Sequence, residues 1–277
     1  MTNSSPQLVD PASLRSWLIL EDERLLVFDK PGWLVCHPSK NGPWSSLGGA
    51  VREEFQPDKI RFVYRLDRET SGVIVLARTE AVGGHLQSAV RQRKIGKAYA
   101  AILEGEIDGP VPVNQPLGPD PTVNVTVKQH VTTGEGSQEA ITIFHPLAVR
   151  GGFTLAGVRL KTGRKHQIRA HAEWLGHRIA GDKLYGPDPA LYLEFAVHGW
   201  TARHSELLSM PRQALHCAAI DLGPTGLDYL LQAPWPADMA EFAEKRMNLG
   251  SEEARQRILR FVETTFAEDR NFQPCQL

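Results

Sequence analysis

An acid set between two arginines, Arg65-Leu66-Asp67-Arg68, runs through Glu69-Thr70-Ser71-Gly72 into a compact apolar stretch at 73–77. Opposite charge on both sides favours the ionised form of such a carboxylate. Loops at a strand edge beside a glycine are common places for reactive groups. Asp67 is therefore a candidate nucleophile or proton acceptor, and a surface ion pair beside a turn is the plainer alternative. A second group is Thr162-Gly163-Arg164-Lys165-His166-Gln167-Ile168-Arg169-Ala170-His171. Gly163 can leave backbone N–H groups free at a helix start, where anions bind. Lys165 and Arg169 lie one turn apart and are expected to project together. No GK[ST] follows a GxxxxG spacing, so this is no P-loop. His166 and His171 are five apart, a poor spacing for zinc on one helical face, and read better as hydrogen-bonding supports. Lys97-Ala98-Tyr99 places a tyrosine within a strand. The adjacent pairs Cys36-His37 and His216-Cys217 lack zinc-knuckle spacing and are assigned to packing, so no metal site is expected.

The elements that must position these groups follow from the pattern. The run 25–29, closed by Lys30-Pro31-Gly32, predicts a strand and turn. Thr79 is the expected N-cap of a helix over about 80–94, with Val82, Leu86 and Val90 on one face. Alternation predicts strands at 97–105 and 123–130. Two more, at 139–144 and 154–160, flank the turn Arg150-Gly151-Gly152. A helix is expected over 165–176, with Ile168, Ala172 and Leu175 on one face. A hairpin is expected at 214–222 and 227–231, around Pro224-Thr225-Gly226. Residues 1–12 read as frayed, 38–48 as a loop and 237–268 as one or two polar-faced helices. Strand after strand without regular helices between them predicts an α+β fold, with a mainly antiparallel mixed sheet and flanking helices and loops. No linker marks a cut in two. The expected organisation is a flexible segment 1–18, a catalytic domain 19–236 and a helical extension 237–277.

Composition bounds the setting. The chain has 277 residues, a net charge of −1 and 42% hydrophobic residues, which excludes a disordered or collagen-like chain. Three widely spaced cysteines without a CxxC argue for a reducing compartment. No apolar run approaches the ~18 residues of a membrane span, and the polar N-terminus lacks a signal-peptide core. A soluble, cytoplasmic, monomeric protein is expected. The near-zero charge hides segregation. Segment 61–100 holds eight bases and three acids, and 159–183 holds seven bases and two acids, so each carries +5 and the remainder −11. Two basic segments on an acidic body suggest one positive face for a polyanion.

Taken in order, these residues resemble the RluA-type RNA pseudouridine synthases over about 19–231. The likeness begins with Glu21-Asp22-Glu23-Arg24-Leu25-Leu26-Val27 and Lys30-Pro31-Gly32. It continues through RLDRETSG at 65–72, Lys97-Ala98-Tyr99-Ala100 and TGRKHQIRAH at 162–171. It then takes in Gly176-His177, Gly181-Asp182 and Tyr185-Gly186, and closes on Leu215-His216-Cys217-Ala218. The resemblance implies the pseudouridine synthase fold and the isomerisation of uridine within transfer or ribosomal RNA, by glycosidic cleavage and reattachment through C5, after the base is flipped out. It implies no metal and no cofactor. It implies Asp67 as the essential aspartate, either nucleophile or aid to proton removal, Tyr99 as the tyrosine that stacks on the target base, and Arg169 as the basic partner of the aspartate. Arg65 matches the arginine that fills the space of the flipped nucleotide, and Ile220 an apolar pocket residue. Arg68, Thr70, Arg164, Lys165, His166 and Gln167 complete the expected RNA-binding set. Tyr64 stands where the family usually has His. Only about 20 residues precede the first motif, so the family's small N-terminal RNA-binding domain is not expected. Segment 187–212 looks like an insertion able to contact RNA. The alternative is a non-catalytic RNA-binding module on the same fold. A hydrolase using Asp67 would be expected to show DxD, which Asp67-Arg68-Glu69 does not match.

Overall fold

The structure is a computed structural model and describes residues 7–37, 41–57 and 59–271. In chain order the elements are α1 (Pro11–Ser16), β1 (Leu18–Glu21), β2 (Leu25–Lys30), α2 (Leu47–Phe55), β3 (Arg61–Phe62), β4 (Ser71–Ala77), α3 (Glu80–Arg91), β5 (Gly96–Glu104), β6 (Val111–Asn114) and β7 (Leu117–Pro119). They continue with β8 (Gln129–Val131), β9 (Ile141–Arg150), β10 (Phe153–Leu160), α4 (Gln167–Trp174), α5 (Ala190–His198), α6 (Ala202–Leu207), β11 (Leu215–Asp221), β12 (Leu230–Gln232), α7 (Ala237–Met247) and α8 (Ser251–Asn271). The mainly antiparallel α+β architecture read from the sequence is the one observed. Among the described residues no helix is long and apolar enough to cross a membrane.

The chain folds as two compact units, 1–97 with 217–234, and 98–216 with 235–277. In the first, the strand order is β1-β2-β4-β11, with β3 on β4 and β12 on β11. β2 and β4 pair antiparallel from Leu25↔Ala77 to Lys30↔Gly72. All seven residues of β4 are buried, because both faces are covered. α3 packs on β4, presenting Leu86 and Ala89, and the Phe55 ring of α2 meets Phe28 edge-on at 5.7 Å. Thr79 caps α3 through its Oγ1, which accepts from Val82 N–H. In the second unit β5, β10, β9 and β6 form an antiparallel ladder. α7 and α8 pack on β10. The Phe242 ring of α7 meets Phe153 at 5.0 Å, and Phe261 of α8 lies where any side chain at Gly157 would stand.

Four expectations change. Segment 123–128 is a run of turns, not a strand, closed by Lys128 N–H to Val125 O and by Asp120 N–H to Lys128 O. Its valines alternate because Val125 enters an apolar cluster with Ala170, Leu184 and Tyr185, against which Val123 and Val127 pack. In β5, Ala98 to Leu103 are all buried, so the strand is covered on both faces rather than alternating. Loop 38–48 ends early, since α2 starts at Leu47 under a Ser46 cap, and its residues 38–40 lie outside the described set. Of the segment expected to fray, 1–6 lie outside the described residues, but Val9 is buried and Asp10 caps α1 through Ser13 N–H.

Candidate active site

Asp67 sits half-buried in the connection that enters β4. Three successive backbone carbonyls there are held. Leu66 O accepts from Cys36 Sγ at 3.4 Å, Asp67 O from Thr70 N–H at 3.2 Å, and Arg68 O from Lys30 Nζ at 2.9 Å. Lys30 has 0% of its surface exposed and also donates to Pro31 O and Leu34 O, both at 2.8 Å. Burial pushes the Cys36 thiol up, so it remains a donor. Arg68 Nε returns to Trp33 O at 3.1 Å. The loop 31–34 and the Asp67 loop are thus tied from both directions. Gly72, at φ +107, closes the motif, and a Cβ there would stand 2.2 Å from Cys217 O, so only glycine fits.

Of the remaining expected residues in this unit, Thr70 is buried and fixes the Asp67 turn. Arg65 is exposed and its Nη1 meets His37 Nε2. Ile220 is fully buried in β11, opposite Leu231. Tyr64 donates its hydroxyl to Val73 O at 2.8 Å. Its ring receives Lys97 Nζ at 4.0 Å from the centroid, a cation–π contact. Desolvation pushes the Lys97 ammonium down to about 8. The tyrosine at this position therefore donates a hydrogen bond and takes a cation on its ring, within its own unit.

The second unit holds the rest. Tyr99 is buried in β5, paired with Val158 of β10. Arg169, on α4, is buried and forms a bidentate pair with Asp182: Nε to Oδ2 at 2.7 Å and Nη2 to Oδ1 at 2.8 Å. Asp182 also accepts from Leu184 N–H and Tyr185 N–H. Burial raises its carboxyl, but Arg169 and these bonds outweigh that and hold it below the usual range. The guanidinium lies 4.8 Å over the Tyr185 ring. Tyr185 Oη is 3.0 Å from His166 Nδ1 and accepts from Gln129 N–H at 2.8 Å. Gly181, at φ +75, lets Asp182 reach this place, since a Cβ there would meet Arg212 O at 2.2 Å.

α4 begins at Gln167, so Lys165 lies in the turn before it and is exposed, whereas Arg169 is buried. The two do not project together, which corrects the one-turn expectation. His166 is the left-handed N-cap, at φ +55. The Gln167 amide is buried and fully engaged. Its Oε1 accepts from Thr162 Oγ1 and Arg164 N–H, and its Nε2 donates to Ile141 O and Thr142 Oγ1. Arg164 Nε donates to Glu139 O. His171 is a buried support: burial lowers its pKa, and its ring nitrogens lie 2.8 Å from Thr142 Oγ1 and 2.9 Å from Gln115 O. Sequence reasoning missed the role of Lys30, read as part of a turn and of the first motif, and Asp182 as the partner of Arg169. The Gly181-Asp182 dipeptide was the available signal for the second. Among the described residues no group of His, Cys, Asp and Glu is arranged to hold a metal.

A family model described as RNA pseudouridylate synthase matches residues 24–174. The uncharacterized RNA pseudouridine synthase YhcT of Bacillus subtilis is 32% identical over 234 residues, covering 80% of this chain and 69% of that protein. Ribosomal large subunit pseudouridine synthase D of Nitrosomonas europaea is 31% identical over 242 residues, covering 84% of this chain and 65% of that protein. The chain thus spans about two thirds of the length of each. The solved structure of human RNA pseudouridylate synthase domain containing 4 superposes with a TM-score of 0.64 at 19% identity, over 84% of this chain and 94% of that one, and so shares the fold. The match over 24–174 covers both the loop that carries Asp67 and the helix that carries Arg169, and with it the chain belongs to the RNA pseudouridylate synthase family.

Proposed function

We propose that the chain isomerises uridine to pseudouridine in ribosomal RNA, with Asp67, Tyr99 and Arg169 as its catalytic residues. The C1′–N1 bond breaks, a C1′–C5 bond forms, the C5 proton leaves and N1 gains one, so the product is an isomer and no redox partner enters. Asp67 serves either as nucleophile or in removing a proton from the ribose. Tyr99 stacks on the uracil, and Arg169, oriented by Asp182, carries the cationic charge of the site. Arg65, Arg68, Arg164, Lys165 and His166 contact RNA, while Thr70 and Gln167 act through the loops they hold, and Ile220 lines the base pocket. The catalytic domain is taken as 19–236, with 237–277 as an extension. The relatives named for the ribosomal large subunit support ribosomal over transfer RNA. Cys36 and Cys217 are buried thiols outside any disulfide among the described residues, which suits a reducing cytoplasm, where the protein is proposed to act as a monomer.

The observation that carries the reading is the clamping of three consecutive carbonyls around Asp67. Binding alone needs no aspartate backbone fixed in this way, whereas catalysis depends on fixed geometry. The test is Asp67→Asn and Asp67→Ala, measured by tritium release from RNA labelled at uridine C5. Both variants should bind RNA and release no tritium. Release at the wild-type rate from Asp67→Ala would remove the proposal.

A further inference from the structure

The first unit carries a cleft of about 540 Å³ that Asp67 does not line, a volume suited to a small-molecule-sized group such as one nucleotide. Five basic side chains line it, His37, Arg52, Arg61, Arg65 and Arg91, and among the described residues no carboxylate does. Three are already engaged: Arg61 Nη2 donates to Glu80 Oε1 at 2.6 Å, and Arg65 meets His37. His37 adds no second cation beside Arg65, since burial and then the Arg65 charge push its pKa down. Arg52 and Arg91 are exposed, and neither forms an ion pair with another described residue. Between them the cleft offers an aromatic wall. Phe62 is half-buried, its ring met edge-on by His37 at 5.7 Å and its carbonyl held by Gln87 Nε2 at 3.2 Å.

Cations without counter-charge beside a fixed aromatic ring are the combination that single-stranded nucleic acid uses, phosphates on the arginines and a base on the ring. We propose that this cleft binds an unpaired segment of the RNA substrate, with phosphates on Arg52 and Arg91 and a base against Phe62. It extends the RNA contact beyond the motif residues and rests on the RNA-modifying reading above. An acidic peptide would satisfy the arginines but leave the ring without a partner.

The experiment measures binding of a fluorescein-labelled oligouridylate by anisotropy across a salt series, for wild type, Arg52→Gln, Arg91→Gln, the double variant and Phe62→Leu. Both arginines are exposed, and circular dichroism confirms folding. Each arginine lost should lower the slope of log K against log salt by about 0.7. Phe62→Leu should weaken binding with the slope kept, and Arg91→Lys should restore the slope but not the full affinity. An unchanged slope and affinity in the double variant would overturn the cleft, as would equal displacement of the probe by polyglutamate. Tritium release by wild type is measured in parallel. If it is absent while the arginine effects hold, the catalytic reading fails and the cleft stands.

Discussion

Asp182→Asn tests how Arg169 is held. Asp182 Oδ1 accepts from Arg169 Nη2, Leu184 N–H and Tyr185 N–H, and Oδ2 accepts from Arg169 Nε. A carboxamide keeps one acceptor oxygen. With that oxygen serving the three Oδ1 donors, its NH2 faces the Nε–H of Arg169, donor against donor. The guanidinium, on a residue 6% exposed, then stays charged with no counter-charge from Asp182, which is 0% exposed. Removing one partner of such a buried pair costs about 3–5 kcal/mol. At 3 kcal/mol this is a fall of about 6–12 °C in the melting temperature of a domain of this size. In the Arg169→Met background Asp182→Asn should cost less than in wild type, because the amide oxygen still accepts from Leu184 N–H and Tyr185 N–H and no guanidinium faces the NH2. The sign with pH is fixed by the depressed carboxyl. Its contribution is complete above the unfolded value of about 3.9 and fades as pH falls through the lowered folded value, so wild type and Asp182→Asn should converge in acid. Urea midpoints across pH and a double-mutant cycle with Arg169→Met measure these terms, and kcat for tritium release should fall with the single variant. A loss below about 1 kcal/mol near neutral pH, or the same loss in the Arg169→Met background, would refute this account of the Arg169–Asp182 pair.

Two further outcomes are expected. Gly72→Ala should destabilise by about 3 kcal/mol or more in a urea melt, since φ +107 is strained for alanine and its Cβ would stand 2.2 Å from Cys217 O; a stable variant would show that β4 can shift. Lys97 has a folded pKa of about 8 against 10.5 unfolded. Below 8 both states hold the proton; between the two values only the unfolded chain does, so stability gains with pH in that window. Lys97→Met should flatten this rise in urea midpoints, and an unchanged slope would contradict the desolvation of the ammonium.

The residues proposed to do the chemistry can be picked out from the sequence because their types are fixed by it. RLD beside TSG, and the arginine of TGRKHQIRAH, can be read without coordinates. So could elements whose burial repeats locally, such as β2, β4 and the capped α3. What the pattern could not carry was partnership. Lys30 looks like a turn lysine until its Nζ is seen on Arg68 O, 38 residues away. Asp182 became the partner of Arg169 only once Gly181 turned the chain back toward α4. The valines of 123–127 mimicked a strand because burial of a turn against an apolar cluster can alternate as burial in a sheet does. Lys165 and Arg169 shared a helical spacing, but the helix began two residues too late to use it. Local sequence sets which groups exist and the short-range periodicity of burial. The charges, carbonyls and rings that hold those groups come from distant segments, and only the tertiary fold brings them within reach.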